Sequence, residues 1–313
     1  MKTTLGILLF IWSLGVSSQD YPNRPVRLLV GFAPGGGMDT IARIIAPKLA
    51  DSLGQPFLVE NRAGAGGALA ADALVRAAPD GYVLLLAESG TLIVPAINPK
   101  ASYDPVKQFA AVSGVCSLPL ALVSTPSFPA RNAQELIAVL KASPGKYSYA
   151  SPGVGTLQHL AFELFMRTAG VQAVHVPYKG ATAMMPDLMS GQVPIGVVSA
   201  LAGVSQARGG KIRALAVTSA QRLPNAPEIP ALSETIPGFE AAPNVFVVAP
   251  AGFASERLSS AVRRVVTSPD VLDSFAKQGA TPMPVDPREL GDRIAAEVRR
   301  WAAVVKDAGI KAE

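Results

Sequence analysis

A run of glycines separates an apolar segment from a helical pattern, and it is the first place where this chain could bind something. The run consists of Ala33, Pro34, Gly35, Gly36, Gly37, Met38 and Asp39. Glycine lets backbone N–H groups approach a ligand closely, and the N-terminus of the helix that follows carries partial positive charge. The predicted chemistry is contact with a small anion, with a tight structural turn as the alternative.

A nucleotide site is disfavoured in this run. Phosphate-binding loops carry a Lys-Ser or Lys-Thr pair after their glycines, and dinucleotide-binding loops follow the pattern Gly-x-Gly-x-x-Gly. Neither pattern occurs between residues 31 and 39. Any anion is therefore predicted to bind to backbone groups and the helix N-terminus.

A second bend of the same kind lies near the middle of the chain. Ser151, Gly153, Gly155 and Thr156 again connect a strand pattern to a helix pattern, and His159 lies one turn inside that helix. Hydroxyls and first-turn N–H groups suit a carboxylate, each hydrogen bond contributing about 0.5–1.5 kcal/mol. His159 is predicted either to contact the ligand or to make a structural hydrogen bond.

Three weaker candidate positions follow other predicted strands. They are Glu88, Ser89 and Thr91 after one strand, Tyr178 and Lys179 after another, and Ser199 after a third. Ser89 and Thr91 are equally well explained as helix-capping residues. Lys179 either attracts an anion into the site or is an ordinary exposed lysine.

Patterns for catalysis are poorly supported. With two histidines and one cysteine, no His/Cys metal site can form without carboxylates, and His-Glu-x-x-His and Cys-x-x-Cys are both missing. The nucleophile pattern Gly-x-Ser-x-Gly is missing as well. Ser143 and Lys146 match Ser-x-x-Lys, but they lie in a turn without the companion motifs. No catalytic residue, metal or cofactor is predicted.

Strand and helix patterns alternate along the chain, and this alternation would position the candidate residues. Strands are predicted at 26–32, 57–61, 82–87, 147–151, 173–177, 193–198, 213–218 and 245–249. Helices are predicted at 40–53, 68–77, 132–142, 156–169, 184–190, 201–208, 256–267, 271–278 and 288–308. The pattern is typical of an α/β fold with mainly parallel sheets flanked by helices.

Local signals refine two of these helices. Asp39 or Thr40 is predicted to cap the helix at 40–53, and Pro47 within it predicts a kink or a broken turn. Asn132 with Glu135 resembles a capping box. These signals fix the predicted start of each helix.

Two proline-rich stretches, 117–131 and 223–243, interrupt the alternation. They predict a discontinuous first lobe at 19–124 and 245–313, a second lobe at 125–244, and a hinge where the chain crosses between them. Ligands of open α/β sheets bind at the carboxyl ends of the strands. A ligand cleft between the two lobes is therefore expected.

The N-terminus reads as a secretory signal peptide of residues 1–18, with Lys2, an apolar stretch and small residues before the cleavage site. Cleavage after Ser18 leaves 295 of the 313 residues and lowers the formal net charge from +5 to +4, because Lys2 is removed. No cysteine follows the apolar stretch and no twin arginine precedes it, which argues against a lipoprotein and against twin-arginine export. Export to the periplasm through the general secretory route is predicted.

Composition limits the remaining classes. Hydrophobic residues make up 49% of the chain and charged residues 16%, as expected for a well-buried globular protein. Cys116 is the single cysteine, so an intramolecular disulfide is excluded. The mild basic charge is scattered without interleaved aromatics, which favours solvated helix faces over nucleic-acid binding.

Seven ordered blocks carry a family resemblance over nearly the whole mature chain. They are 21–43, 59–67 (VENRAGAGG), 79–82 (PDGY), 96–99 (AINP), 103–105 (YDP), 175–180 (HVPYKG) and 213–218 (RALAVT). They resemble the Bug-type receptors, the extracytoplasmic solute-binding proteins of tripartite tricarboxylate transporters. The resemblance implies two α/β lobes that close on a small ligand, usually a carboxylate, with no cofactor, metal or reaction. Membrane permease subunits of such a transporter are the expected partners, nucleic acid is not, and the protein is expected to be a monomer.

Departures from the family pattern bear on the ligand. The segment 194–199 lacks the acidic or amide residue that the family often carries, which weakens the case for an amino-acid ligand with its ammonium group. Glu88 could meet a cation or a hydroxyl if its side chain faces the cleft. Met38 and Leu92 make the same rim more apolar.

The predicted function is that of a periplasmic receptor which captures a small organic carboxylate and delivers it to a membrane transporter. A sensor partner of a membrane signalling kinase and an exported hydrolase are the alternatives.

Overall fold

The computed structural model describes residues 21–98 and 100–310, so the predicted signal peptide, 1–18, lies outside the described residues. The first of its two sheets contains β1 (Val26–Val30), β2 (Phe57–Asn61), β3 (Val83–Glu88), β4 (Phe109–Ser117), β10 (Asn244–Pro250) and β11 (Thr281–Pro282). Their order is β11-β4-β10-β3-β1-β2. In β3, Leu84 and Leu86 are buried in one core while Leu85 and Ala87 are buried in the other. Burial of both faces explains why this strand is a continuous apolar run.

The second sheet contains β5 (Leu120–Ser124), β6 (Ser148–Ser151), β7 (Val174–Pro177), β8 (Ile195–Ser199) and β9 (Arg213–Val217). Their order is β7-β6-β8-β5-β9. Leu120 and Leu122 of β5 face one core, and Ala121 and Val123 face the opposite one. The second sheet is therefore also buried on both faces.

Helices cover both faces of both sheets. They are α1 (Gly37–Leu53), α2 (Ala68–Val75), α3 (Ser89–Ile97), α4 (Pro105–Gln108), α5 (Ala133–Ala142), α6 (Leu157–Ala169), α7 (Ala181–Ser190), α8 (Ala200–Arg208), α9 (Glu256–Val266), α10 (Pro269–Lys277) and α11 (Pro287–Asp307). Two short 3-10 turns lie at Ala65–Gly67 and Leu232–Glu234. The predicted α/β class is confirmed, and every predicted strand and helix is found with ends shifted by a few residues. The elements α3, α4, β4, β5 and β11 are additional.

Both sheets are mixed, but most strands of each run in one direction, as expected: β1 to β4 in the first sheet and β6 to β9 in the second. β1 is parallel to β2 and β3, and β6 is parallel to β7 and β8. β10, however, is antiparallel to β3 and β4, and β5 is antiparallel to β8 and β9. These antiparallel strands border the places where the chain passes from one sheet to the other. No crossover helix precedes them to return the chain in the parallel direction.

The two passages between the sheets lie side by side. The chain leaves β4 at Ser117 and enters β5 at Leu120, and the Leu118 N–H donates to the Pro243 carbonyl over 2.8 Å just before β10 begins. Residues 120–124 therefore hydrogen-bond within the second sheet, whereas the sequence analysis assigns them to the first lobe. The sequence analysis did not predict this five-residue apolar strand, because Pro119 and Pro126 border it within a proline-rich stretch.

Helix α11 takes part in the cores of both sheets. Leu290 and Ile294 in its first half are buried against the first sheet. Trp301, Val304 and Val305 in its second half are buried in the core of the second sheet. One helix thus joins the two halves of the molecule besides the two passages of the chain.

The starts of two helices test the predicted caps. Asn132 caps α5 by accepting a hydrogen bond from the Glu135 N–H over 2.9 Å, as predicted. Helix α1 instead begins three residues earlier than predicted, with Gly36 in the capping position, and it runs unbroken through Pro47. Asp39 lies in the third helical position, where its carboxylate accepts from the Gly35 N–H over 2.9 Å. Its side chain therefore reaches back as the third residue of a capping box does.

None of the helices in the described segments is both long enough and apolar enough to cross a bilayer.

Candidate ligand-binding site

The main candidate site is a cavity of about 650 Å³ between the two sheets. From the first sheet and its helices the wall contains Phe32, Gly37, Gly66, Glu88, Val94 and Ile97. From the second it contains Pro152, Val154, Thr156, Gln158, Ser199 and Leu201. Leu118, Pro119 and Pro243 of the two chain passages complete it. This size and largely apolar lining are typical of small-molecule sites.

A second cavity of about 610 Å³ adjoins the first and shares Gly66, Val94, Ile97, Val154 and Gly155 with it. Gly153, Tyr178 and Lys179 line the part that is not shared. The two cavities are therefore adjacent, and together they are called the cleft.

The first turns of four helices reach the wall of the larger cavity. Gly37 begins α1, Gly90 lies in the first turn of α3, Gln158 in that of α6, and Leu201 in that of α8. Each helix N-terminus carries a partial positive charge and N–H groups that have no partner within the helix. Their convergence makes the cavity favourable for an anion although no basic side chain lies on its described wall.

In the first glycine run, Gly37 is the residue that lies on the cavity wall, next to Phe32. Ala33, Pro34, Gly35 and Gly36 are exposed but lie outside both cavities, and Met38 and Asp39 are buried. The Asp39 carboxylate bonds to Arg43 Nε at 2.8 Å and to Asn61 Nδ2 at 2.9 Å. These bonds, with that from Gly35, hold the Asp39 pKa well below its ordinary value. Asp39 therefore rigidifies the loop from inside and does not face the cavity.

The loop after β2 contributes to the wall, and sequence reasoning did not place it in the site. Gly66 lines both cavities and Ala65 lines the smaller one. Gly67 packs so tightly on Gly31 that a Cβ added at Gly31 would lie 2.6 Å from the Gly67 Cα. The available signal was the run of three glycines at 64, 66 and 67 directly after a strand, the same signal that marked the first loop.

The second glycine bend likewise contains some residues that line a cavity and others that are buried. Gly155 and Thr156 line the larger cavity and Gly153 the smaller one. Ser151 and His159 are buried beneath the loop. The Gly155 N–H donates to His159 Nδ1 over 3.1 Å, and Ser151 Oγ lies 2.7 Å from His175 Nε2. His159 thus has the structural role that the sequence analysis gave as one of its two alternatives.

Below this bend lies a stack of aromatic rings that supports it. The rings of His159 and His175 are parallel, with centroids 3.8 Å apart, and Tyr149 stacks on His175 at 4.9 Å. Glu163 accepts a hydrogen bond from the Tyr149 hydroxyl over 2.6 Å. Burial, with a smaller contribution from His159, lowers the His175 pKa to about 4, so His175 is neutral at physiological pH. The bend is therefore held by a packed network of stacked rings and hydrogen bonds.

Three candidate residues at the end of β3 and the start of α3 have different surroundings. Ser89 and Thr91 are buried; Ser89 Oγ accepts a hydrogen bond from the Asn244 N–H over 2.9 Å, and the Thr91 carbonyl accepts from Tyr103 over 2.6 Å. Glu88 lies on the wall of the larger cavity. Its carboxylate has no hydrogen-bond or ion-pair partner in residues 21–98 and 100–310. Desolvation raises its pKa from 4.5 to about 7.

The remaining candidates lie on the second-sheet side. The Tyr178 hydroxyl donates to Asp187 over 2.6 Å, and burial followed by this bond raises the Tyr178 pKa to about 12. Lys179 is exposed at the mouth of the smaller cavity. Ser199 is exposed on the wall of the larger cavity and caps α8, accepting from the Ala202 N–H over 3.4 Å. Tyr178 and Lys179 thus flank the cavity mouth, and Ser199 lies on the wall itself.

Sequence reasoning missed part of the polar and apolar lining. Gln158 and Gln278 reach the wall as neutral amides, and Val94 and Ile97 reach it from α3, a helix that the sequence did not predict. Gln158 could have been found, because it lies between Thr156 and His159 in the first turn of α6. Gln278 lies after α10, far along the chain, and nothing local marks it.

Within the described residues, no group of three or more His, Cys, Asp or Glu residues is placed to hold a metal ion. Cys116 is buried, and desolvation raises its pKa. Its thiol is therefore poorly suited to act as a nucleophile.

The raised pKa of Glu88 gives the first testable prediction. A folded-state pKa of about 7 against an ordinary value of 4.5 means that the folded protein binds more protons than the unfolded chain between these values. The free energy of unfolding of the ligand-free protein should therefore fall as the pH rises through this window, by about 1–3 kcal/mol. Glu88→Gln should remove this contribution.

Urea unfolding of the wild type and Glu88→Gln, followed across this pH window, measures the difference. Glu256→Gln is the control for removal of a surface carboxylate, because Glu256 is 75% exposed on α9, pairs with Arg263 over 2.6 Å and lies outside the cleft. If the stability difference between Glu88→Gln and wild type is the same at both ends of the window, the raised pKa is wrong.

Two α/β sheets that share a cleft are typical of solute-binding proteins, but the fold alone does not define a function. The sequence profile of the tripartite tricarboxylate transporter family receptor matches residues 41–310. The chain is 38% identical to protein BugT of Bordetella pertussis (strain Tohama I), over 95% of this chain and 93% of BugT.

Two solved structures are also similar over nearly the full length. R. palustris Rpa4515 with adipate has a TM-score of 0.76 and 33% identity, covering 93% of this chain and 99% of that one. MatC (Rpa3494) from Rhodopseudomonas palustris with bound malate has a TM-score of 0.73 and 32% identity, covering 91% and 100%. The chain therefore belongs to the tripartite tricarboxylate transporter receptor family. The predicted Bug-type resemblance and the predicted function as a solute-binding receptor are both confirmed.

Proposed function

We propose that this protein captures a small organic carboxylate in the cleft between its two sheets and delivers it to the membrane subunits of a tripartite tricarboxylate-type transporter. The observation that carries the proposal is the convergence of four helix N-termini on one cavity. Each end favours an anion by about 0.3–1 kcal/mol when exposed, and by more when water is excluded. The adipate and malate bound by two relatives support a carboxylate as the anion.

The ligand contacts are proposed to come from both sides of the cleft. Gly37 and Glu88 would provide them on one side, and Gly155, Thr156 and Ser199 on the other, since all five line the larger cavity. Gly153, Tyr178 and Lys179 would act at the adjoining cavity. Met38, Asp39, Ser89, Thr91, Ser151 and His159 would support these contacts from within the fold, and Ala33 to Gly36 would border the entrance.

Two lobes that close on the ligand are the proposed mechanism. Each lobe would contain one sheet, and the hinge would be the paired passages at Leu118 and Pro243. A ligand shifts an open-to-closed equilibrium only if it binds the two states differently. Contacts from both lobes satisfy this condition, because opening would remove half of them. The transporter could then recognise the closed form.

Export, assembly state and absence of catalysis complete the proposal. The protein would act in the periplasm as a monomer, after removal of residues 1–18 by the secretory route. It would bind its ligand without a cofactor and without chemical turnover, as expected of a solute-binding receptor.

A thermal-shift screen of mono- and dicarboxylates, beginning with adipate and malate, tests the capture step. Stabilisation should follow RT ln(1 + [L]/Kd), about 2.7 kcal/mol at a hundredfold excess over Kd. Absence of stabilisation by every member of a broad panel would contradict the proposal. Uptake of the best binder by cells with and without this protein then tests delivery, which predicts strongly reduced uptake without it.

Gly155→Ala should weaken carboxylate binding at least tenfold. Gly155 has φ +76°, and an added Cβ would lie 3.0 Å from Ile97 Cδ1 on the opposite side of the cleft. The substitution therefore strains the α6 loop and pushes against the wall that the ligand contacts.

Gly170→Ala provides the matched control. Gly170 ends the same helix at φ +64°, and an added Cβ would contact nothing within 4 Å. Both variants should lose similar stability from the left-handed backbone, about 1–2 kcal/mol, but only Gly155→Ala should change the Kd measured by calorimetry. Equal effects of the two variants on affinity would place the ligand elsewhere.

A further inference from the structure

Glu88 is an exception among the acidic residues near the cleft. Asp39 is bonded to Arg43, and Glu163 to Tyr149. The Glu88 carboxylate lies on the wall of the larger cavity with no such partner in the described part of the chain. Glu88 is half-buried, so its carboxylate is partly desolvated without a partner to compensate, and its position calls for a reason.

The local backbone leaves room for this carboxylate at the cavity. Glu88 is the last residue of β3 and has the capping position of α3, but its side chain makes no capping hydrogen bond. It lies over Gly90 instead, because a Cβ added there would be only 2.6 Å from Glu88 Oε1. A glycine two residues on thus leaves the space that the carboxylate fills.

The surroundings of Glu88 favour a positive partner supplied from outside. It is the only charged residue on the described wall of the larger cavity, and Lys179 lies on the adjoining one. Phe32, Val94 and Leu118 make the nearby wall apolar. The Coulombic attraction between opposite charges is stronger in such surroundings than in water, and Glu88 is already partly desolvated before a ligand binds.

We propose that Glu88 selects ligands that carry an ammonium group in addition to a carboxylate. The Glu88 carboxylate pairs with the ammonium, while the helix N-termini on the same wall bind the ligand carboxylate. This inference rests on the proposed capture of a carboxylate and adds the second charged group that the ligand must present. The absence of acidic residues in segment 194–199 does not oppose it, because the anionic partner comes from the other sheet.

Matched pairs of ligands that differ by one amino group test this proposal by calorimetry. The probes are succinate and aspartate, adipate and 2-aminoadipate, and butyrate and 4-aminobutyrate, at about pH 8, where both Glu88 and the ammonium are charged. In at least one pair the aminated member should bind the wild type at least tenfold more tightly. Glu88→Gln should bring that ratio close to one, and Glu256→Gln should leave it unchanged.

A second variant keeps the charge but moves it. Gly90→Ala places a methyl group against Glu88 Oε1 at a position whose helical backbone accepts alanine. It should reduce the preference for the aminated member severalfold, with a thermal unfolding curve close to that of the wild type. A preference that persists in Glu88→Gln overturns the assignment to Glu88.

The outcomes separate this inference from the proposed function. If carboxylates bind but the ammonium group gives no gain in any pair, the role of Glu88 is overturned and carboxylate capture stands. If neither these probes nor any carboxylate of the thermal-shift panel binds the wild-type protein, carboxylate capture itself is overturned.

Discussion

Trp301→Ala is expected to lower the free energy of unfolding by about 3–5 kcal/mol, as is usual when a large buried aromatic side chain is removed. Trp301 is 1% exposed and lies in the core of the second sheet with Leu160 and Phe165. It is contributed by α11, whose first half belongs to the other core. Its removal therefore leaves a cavity where α11 joins the two cores. Urea unfolding of the ligand-free protein measures the loss.

Trp301→Phe is the matched variant. Trp301 Nε1 is buried without a hydrogen-bond partner in the described residues, so phenylalanine removes ring volume without breaking a hydrogen bond. A loss of about 1–1.5 kcal/mol is expected, well below that of alanine. A loss of less than about 1 kcal/mol for Trp301→Ala would mean that the second half of α11 contributes little to this core.

Gly31→Ala is expected to lower stability by about 2–4 kcal/mol and to weaken ligand binding by more than tenfold. The added methyl group would lie 2.6 Å from the Gly67 Cα, which is backbone and cannot rotate away. The loop at 64–67 would have to shift, and it carries Gly66, which lines both cavities.

Gly291→Ala is the control for this change. Gly291 lies inside α11 in open space, so alanine there should stabilise the protein by about 0.5–1 kcal/mol through its helix propensity. Urea unfolding, and calorimetry with the tightest-binding carboxylate, compare the two variants. Retention of wild-type affinity by Gly31→Ala would show that the 64–67 loop does not shape the site.

The elements that the sequence predicted are those with a clear apolar period. β5 was not among them, because Pro119 and Pro126 border it, although its residues are buried on both faces. α3 was missed for a related reason: Gly90 and Pro95 are poor helix formers. The burial of Leu92 and Ile93 outweighs those propensities, and burial is a property of the whole fold.

The candidate site was predicted at the level of loops and less well at the level of side chains. Glycine between a strand and a helix identified both bends, because the backbone requirement is local. Whether Asp39 faces a ligand depends on Asn61, 22 positions away, and that contact cannot be read from local sequence. The sequence likewise left open whether the Glu88 side chain faces the cleft, because its orientation depends on the packing of β3 and α3.

The participation of α11 in both cores has a mechanical consequence. If the cleft opens and closes, the two cores move relative to one another, and a helix anchored in each must bend or slide to follow. It then acts as an elastic element in parallel with the two chain passages, and its stiffness contributes to the free-energy difference between open and closed forms. Residues such as Trp301, which lines neither cavity, would thereby help to set the ligand affinity.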